Sequence, residues 1–317
     1  MAGHANSLTS ILFALGANMA IFCAKLAAAL YTGSGAMLAE AIHSLADSGN
    51  QLLLIVGLHR SKRQPTAEHP LGYGKTIYFW SFIVALILFS MGGMFSIYEG
   101  IHKLQHPEAL HAPWLAIAVL TFSIAAESVS LWGCLREVNK TRGKRSLITW
   151  FRQSRESELL VVFGEDIAAL LGLFLALVGV GLAMVTGNPL FDALGSIAIG
   201  VLLVLIAVVI GVQVKQLLIG QGVDPETHRA MVDFLLAQEE IIQVYNLITL
   251  QLGRDVMLAV KAEMRQYPNQ QAMIEAINRC EKRVKAAFPQ VVWSFFEPDL
   301  RDEKSSIATD HGQGESH

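Results

Sequence analysis

Four polar side chains of metal-ligand type lie close together in an otherwise apolar part of the chain. They belong to the segment AEAIHSLADSGNQ and are Glu40, His43, Asp47 and Asn50. Their offsets of three, four and seven residues return to one face of a helix with about 3.6 residues per turn. An Asp in mid-membrane costs roughly 2.5–3.5 kcal/mol, so ionisable residues in an apolar span indicate function. Imidazole and carboxylate are ligand types of a divalent-cation site.

A second pair of acids could complete such a site. Glu165 and Asp166 lie about two turns into the apolar segment that begins near residue 159. His43 and Asp47 supply two ligands one helical turn apart, and Asp166 supplies a third if these two spans pack side by side. Neighbouring helical positions are about 100° apart, so we expect only one of Glu165 and Asp166 to bind the metal directly.

The other polar residues of the spans also have structural interpretations. Hydrogen bonds between helices explain four of them at least as well as metal binding, namely Ser44, Ser48, Asn50 and Gln51. Glu99 and Glu127 are predicted to pack helices or handle protons rather than bind metal. Asp192, near the start of a span, is a candidate helix cap.

The elements that must position these residues are membrane helices. The chain is 53% hydrophobic and 16% charged, with a mean hydropathy of +0.44, which is typical of a membrane protein. We therefore predict a polytopic α-helical membrane protein with a six-helix domain over residues 1–220. Six segments are long enough to span a bilayer, at about 9–31, 35–58, 77–101, 113–134, 159–186 and 190–218.

The cationic side chains are segregated by loop. The connections between spans two and three and between spans four and five are rich in Lys and Arg, whereas the opposite connections are nearly free of them. This predicts that both termini lie in the cytoplasm. The opening MAGHANSLTS has no Lys or Arg and no small-residue cleavage site follows, so we expect the first span to be retained. The lack of an Arg-rich presequence favours a prokaryotic inner membrane.

The C-terminal part has a different pattern. Residues 221–298 predict a cytoplasmic α+β domain of order αββαβ, ferredoxin-like, with helices near 225–239 and 270–287. A unit of about 80 residues is near the lower limit for a self-sufficient core, so dimerisation would help it. The polar segment 299–317 is predicted to be a disordered tail. Three scattered cysteines without a CxxC pair predict neither a disulfide framework nor a thiolate zinc site.

Several of these motifs together resemble the cation diffusion facilitator family over nearly the whole length. They are the HxxxD of span two, the Asp of span five, the loop HPLGYGK, the DALGS that starts span six and the cytoplasmic domain. EAIHSLADSGNQ, the ED pair and GNPLFDALGS are most similar to the branch that includes the animal mitochondrial zinc transporter. The resemblance implies a homodimer, with no enzymatic activity and no organic cofactor, that moves Zn²⁺ by alternating access and proton antiport.

The resemblance also implies a ligand set. The family's four positions fall on His43, Asp47, Val162 and Asp166, so one usual histidine is replaced by valine. Glu165, Glu40, Asn50 or water could be the fourth ligand, and Glu165 is our prediction because it accompanies Asp166 in this branch.

Two further metal sites of the family are not expected in this chain. The loop HPLGYGK keeps His69 but has Tyr73 where many members have histidine. Between residues 224 and 300 the only histidine is His228, so we expect a domain that dimerises without a binuclear zinc site.

The expected mechanism is competition between metal and protons. Neutral His43 with ionised Asp47 and Asp166 would bind the cation, and protonation of His43 and a carboxylate would expel it. In a bacterium this predicts zinc export from the cytoplasm, with protons, the metal ion and the bilayer as partners and no nucleic acid. Transport of Mn²⁺, Fe²⁺ or Co²⁺ and a metal-sensing role with a degenerate site are the alternatives. An intramembrane enzyme is disfavoured, since neither HExxH nor GxSxG occurs.

Overall fold

The computed structural model describes residues 18–300 of the 317-residue chain. This part forms two compact units. The first contains the long helices. The second contains the C-terminal sheet together with two short segments that precede it in the chain, Ser61–Lys75 and Gln153–Arg155.

In the described residues, the regular secondary structure of the first unit is all helical. Its helices are α1 (Asn18–Thr32), α2 (Gly35–Ser61), α3 (Thr76–Ile87), α4 (Phe95–Gln105), α5 (Pro113–Arg142), α6 (Leu147–Gln153), α7 (Ser157–Thr186) and α8 (Leu190–Ile219). A π-helical segment, Leu88–Met94, joins α3 to α4 into one continuous helix. Such segments are frequent at functional sites.

Four of the described helices are long and apolar enough to cross a membrane. They are Thr76–Gln105, Pro113–Arg142, Ser157–Thr186 and Leu190–Ile219. These confirm the last four predicted spans. For the first, part of the predicted range 9–31 lies outside the described residues, and α1 is a shorter apolar helix. The 27-residue α2 carries the polar stripe and is not in this apolar set. The first two spans therefore stay predictions.

Glycines let α4 and α8 pack closely against each other. A methyl group at Gly100 on α4 would lie 2.5 Å from Cγ1 of Ile197, and one at Gly200 on α8 would lie 2.6 Å from Cγ1 of Ile97. Small residues at such crossings bring helix backbones together, which strengthens packing where no hydrophobic effect operates. Each partner helix thus has glycine where the other presents isoleucine.

The predicted loop between spans four and five contains a helix that the sequence pattern did not predict. α5 continues to Arg142, and the short α6 follows after four residues. Trp150 anchors α6, because its side chain is 1% exposed and packs edge-to-face on Phe163 of α7 at 5.6 Å. Its indole nitrogen donates to Thr141 Oγ1 at 3.1 Å. Because this segment is rich in Lys and Arg, the sequence pattern did not indicate that Trp150 is buried.

The second unit has the predicted order of elements. α9 (Pro225–Leu236), β1 (Ile241–Leu252), β2 (Asp255–Met264), α10 (Gln270–Ala287) and β3 (Val291–Pro298) follow each other in the chain. The sheet order is β1-β2-β3, with β1 antiparallel and β3 parallel to β2. A full ferredoxin-like fold adds another strand ahead of αββαβ. The described residues thus show the predicted αββαβ order with a three-stranded sheet, and the ferredoxin-like assignment stays a prediction.

Local sequence signals explain where these elements begin and where the chain turns. Asp224 caps α9 by accepting hydrogen bonds from the backbone of Glu226 and Thr227, both at 3.2 Å. The hairpin between β1 and β2 turns at Gly253, whose φ of +72° favours glycine. Leu258, Ala276 and Cys280 lie in the core that the helices and sheet share. Of the predicted disordered tail, residues 301–317 lie outside the described part.

Candidate functional site

Four carboxylates line one small cavity inside the first unit. The cavity has a volume of about 60 Å³. Because a single water needs about 10–15 Å³, it has room for an ion and a little water. The acids come from α2, α5 and α7 and are Asp47, Glu127, Glu165 and Asp166. Of these, Glu127 was predicted to serve helix packing or proton handling, and its place in the cavity was missed.

His43 is linked to this cavity through Asp47. Its Nε2 lies 3.5 Å from Oδ2 of Asp47, one helical turn away on α2. The His43 side chain is 1% exposed, and neither ring nitrogen has a hydrogen-bond partner within the described residues. A methyl group at Gly92 in the π-helical segment would lie 3.9 Å from His43 Nδ1. The imidazole is thus free to exchange its contact with Asp47 for another ligand.

Glu165 and Asp166 both border the cavity, and whether only one of them binds the metal directly stays a prediction. Asn50 on α2 donates from Nδ2 to Glu165 Oε1 at 2.5 Å, whereas Ser130 on α5 donates to Asp166 Oδ1 at 3.1 Å. The 100° between neighbouring helical positions points one acid toward α2 and the other toward α5. Both reach the cavity because it lies among α2, α5 and α7, with α1 lining a further side.

The acids surround the cavity without forming a coordination sphere. Within residues 18–300, no three His, Cys, Asp or Glu side chains are grouped closely enough to hold a metal ion. Val162, where the family's usual histidine falls, also lines the cavity. Oδ1 of Asp47 and Oδ2 of Asp166 are buried and lack hydrogen-bond partners in the described chain. The ligand set His43, Asp47, Asp166 and Glu165 therefore stays a prediction.

A buried ion pair lies beside the polar stripe and was not predicted from the sequence. Lys25 Nζ on α1 lies 3.3 Å from Glu40 Oε2 and donates to Ser44 Oγ at 2.8 Å. Both charged side chains are fully buried. Glu40 is one of the alternative fourth ligands, but it is held by Lys25 and is not among the residues that line the cavity. A lysine inside the apolar run IFCAKLAAAL was the available signal.

Asp192 is a helix cap, but of a different helix from its own. From α8 it accepts hydrogen bonds from Ser34 Oγ at 2.5 Å and from the backbone nitrogen of Gly35 at 2.7 Å. A carboxylate there satisfies free N–H groups at the start of α2 and complements the helix dipole. Lys103 donates to the carbonyl of Gly33 in the same turn. These contacts hold the start of α2, the helix that carries the polar stripe.

The other two histidines singled out from the sequence lie in the second unit. The His69 ring stacks on Tyr73 with a centroid distance of 4.4 Å. His228 Nε2 lies 3.2 Å from the carbonyl oxygen of Leu247. Neither belongs to a group of metal-ligand side chains among the described residues.

Comparisons with known proteins agree with the motifs. A family model described as the cation efflux transmembrane domain matches residues 11–219. The frog (Xenopus laevis) mitochondrial protein named proton-coupled zinc antiporter SLC30A9 is 35% identical over 234 residues, which are 73% of this chain and 42% of that protein.

Two further relatives are similar over comparable lengths of this chain. Metal tolerance protein C4 of Arabidopsis thaliana is 30% identical over 243 residues, covering 76% of this chain and 53% of that protein. The cation-efflux pump FieF of Pectobacterium atrosepticum is 24% identical over 250 residues, covering 78% of this chain and 77% of the pump.

The family follows from these matches, although the chain spans only about half the length or less of the first two relatives. The matched domain covers the helices that carry every residue of the cavity. Its description and the similarity to the animal mitochondrial proteins agree with the HxxxD, ED and GNPLFDALGS motifs. The chain therefore belongs to the cation diffusion facilitator family, close to its animal mitochondrial branch, and is an integral membrane protein of that transporter family.

Proposed function

We propose that this protein is a secondary transporter that exchanges divalent cations, Zn²⁺ foremost, for protons. The observation that carries the proposal is the cavity lined by four carboxylates, Asp47, Glu127, Glu165 and Asp166. Charged carboxylates in such a place are costly without a cation or protons to neutralise them. The printed names of the relatives, proton-coupled zinc antiporter and cation-efflux pump, support the same function.

The proposed ligands are His43, Asp47, Asp166 and Glu165. One imidazole among carboxylates favours Zn²⁺ modestly over Mn²⁺, Fe²⁺ and Co²⁺. Asn50 and Ser130 each occupy only one oxygen of Glu165 and Asp166, namely Oε1 and Oδ1. Oδ2 of Asp166 and Oδ1 of Asp47 have no hydrogen-bond partner in the described residues and are the oxygens that the ion would take.

Metal and protons compete for the same groups in the proposed cycle. Neutral His43 and ionised Asp47 and Asp166 bind the cation on the metal-rich side. When the site opens to the other side, protons bind His43 and a carboxylate and release the metal. Alternation between the two openings needs only two conformations with different affinities for metal.

Orientation and assembly complete the proposal. The Lys- and Arg-rich connections support a topology with both termini in the cytoplasm, and the direction we propose for a bacterium is export of the metal from the cytoplasm. A bacterial inner membrane is the proposed location, in line with a relative, FieF, from the bacterium Pectobacterium atrosepticum. The small second unit supports a homodimer, since dimerisation adds core to a domain of this size. No catalytic chemistry, organic cofactor or nucleic-acid partner is proposed.

A metal sensor with a degenerate transport site is the second candidate. Val162 at the position of the usual histidine favours it, as does the lack of a ready coordination sphere in the described residues. A sensor binds metal but moves none across the membrane, whereas a transporter does both.

Flux in liposomes tests the proposal. Purified full-length protein in vesicles should accumulate Zn²⁺ when a pH gradient is applied, and His43→Ala or Asp47→Ala should abolish this. His69→Ala is the matched control, because His69 stacks on Tyr73 and does not line the cavity. Full flux in either site variant would overturn the ligand assignment. Zn²⁺ binding without any flux in the unmodified protein would favour the sensor.

A further inference from the structure

A second cavity of the first unit lies between α6, α7 and α8, apart from the acidic cavity. Its volume is about 500 Å³, within the roughly 300–1,000 Å³ of small-molecule sites. Most of its lining is apolar and includes Ile148, Phe151, Phe163, Ile167, Leu205 and Val209. Several of these are exposed, with Ile148 at 70% and Leu205 at 60%. The cavity is therefore an open cleft in the hydrocarbon-facing surface.

The cleft extends from the end of the membrane helices into the bilayer. Its α7 residues, Gly164 and Ile167, lie about 10–15 Å along that helix from Ser157 at 1.5 Å per residue. Leu205 lies about 21 Å from the end of α8 at Ile219. One leaflet of a hydrocarbon core of about 30 Å is about 15 Å deep. The cleft thus spans the depth that one lipid acyl chain occupies.

A cationic side chain stands in the same lining. Arg152 on α6 is exposed, and its guanidinium has neither a hydrogen-bond nor an ion-pair partner within the described residues. The stretch 142–152 carries four cations, Arg142, Lys144, Arg145 and Arg152, and no Asp or Glu. Guanidinium matches phosphate oxygens in a two-pronged hydrogen-bond geometry. A molecule with a phosphate at one end and an apolar chain at the other would match both the guanidinium of Arg152 and the apolar lining of the cleft.

We propose that this cleft binds an anionic phospholipid, with one acyl chain between α7 and α8 and its phosphate on Arg152. Basic pockets between membrane helices on the cytoplasmic side are known to hold anionic headgroups. The positive-inside distribution places Arg152 on that side.

A lipid bound in this cleft should also affect the acidic cavity, an inference that rests on the proposed transport function. Gly164 and Ile167 lie on either side of Glu165 and Asp166 in α7. A bound acyl chain packs against the same turn of α7 that presents both carboxylates to the cavity. Lipid removal should therefore slow flux even where metal binding persists.

Native mass spectrometry of the full-length protein in detergent tests the lipid directly, without reference to flux. The probes are dioleoyl phosphatidylglycerol and dioleoyl phosphatidylcholine, added separately after mild delipidation. The unmodified protein should retain phosphatidylglycerol with a preference of roughly fivefold, the factor expected for one cation near a membrane surface. Equal retention of the two lipids, or retention of neither, overturns the proposal.

Two variants with matched controls separate headgroup from chain binding. Arg152→Ala should erase the preference, whereas Lys144→Ala, a cation of the same stretch outside the cleft lining, should keep it.

Leu205→Trp should fill the cleft and reduce retention of both lipids. Leu194→Trp, on the same helix and 46% exposed, should not. Wild-type behaviour of Arg152→Ala or Leu205→Trp overturns the proposal, and thermal unfolding confirms that each variant is folded. Missing zinc flux in the unmodified protein would contradict only the transport proposal.

Discussion

Lys25 and Glu40 form an ion pair with no exposed surface, 3.3 Å from Nζ to Oε2, between α1 and α2. Ser44 adds a second acceptor for the ammonium at 2.8 Å. Two desolvated charges rarely add net stability, but each makes the other tolerable. The pair therefore ties α1 to the helix that carries His43 and Asp47. The stripe on α2 has a built-in cation beside it, which neutralises one of its acids without metal.

Removing the lysine should destabilise the protein strongly. Lys25→Met leaves Glu40 buried without its partner, which costs about 3–5 kcal/mol of unfolding free energy. The double variant Lys25→Met/Glu40→Gln should recover most of this loss, because no uncompensated charge remains. Denaturant unfolding in detergent measures both. Equal stability of the single and double variants would show that the pair is not the cause.

Gly172 on α7 provides the room that Glu40 needs. A methyl group at Gly172 would lie 2.5 Å from Glu40 Oε1. Gly172→Ala should therefore displace the carboxylate or α7 and cost about 1–3 kcal/mol, as overpacking does. Gly181→Ala on the same helix is the matched control, since its methyl group would meet nothing within 4 Å. Thermal unfolding of the two variants should differ, and equal midpoints would contradict the close approach.

The sequence predicted the helices better than the contacts between them. Apolar length located α5, α7 and α8, and β-branched alternation located the hairpin, because these signals are local. The partner of Asp192, by contrast, lies 157 residues away at Gly35. Contacts between helices depend on how the helices pack. The spacing of residues in the sequence could therefore predict neither the capping of α2 by Asp192 nor the ion pair between Lys25 and Glu40. The apolar anchor Trp150 was hidden within a basic segment.

The same holds for the cavity: residue type and spacing predicted most of its acids, but not the one that depends on contacts between helices. The motif on α2 and the acids of α7 identified three of its four carboxylates from residue type and spacing alone. Glu127 was given another role because nothing near it in the chain has metal-ligand spacing. Its position in the cavity follows only from the packing of α1, α2, α5 and α7 around that space.

Glu127 should contribute charge to cation binding. Glu127→Gln removes one of four carboxylates that line the cavity, so we expect zinc affinity to fall roughly 10–100-fold, the range for groups that support metal ligands. Glu99→Gln is the matched control, because Glu99 lies on α4 and does not line the cavity. Isothermal titration with Zn²⁺ checks both. Unchanged affinity in Glu127→Gln would leave this residue with a packing role only.

The second unit should lose stability in acid through the Glu240 carboxylate, which pairs with Arg283 and, at 3.6 Å, with Arg279. Arg283 on α10 donates to Glu240 and, at 2.6 Å, to Gln238 Oε1. The hydrogen bond from Arg283 lowers the pKa of Glu240 from 4.5 to about 2. A carboxyl whose pKa is lower in the folded state stabilises that state above its unfolded pKa. The pair's contribution is therefore complete well above pH 4.5 and fades as the pH falls toward 2.

Substitution of the arginine should expose this dependence. Arg283→Met should lower the unfolding midpoint of the full-length protein at pH 6, and the difference from the unmodified protein should shrink as the pH is lowered from about 5 to 3. Lys285→Met, an exposed cation on the same helix, is the matched control and should show a small difference at every pH. Thermal unfolding at closely spaced pH values provides the measurement. A difference for Arg283→Met that stays constant or grows in acid would contradict the role of Glu240, since its protonation removes the charge that Arg283 binds.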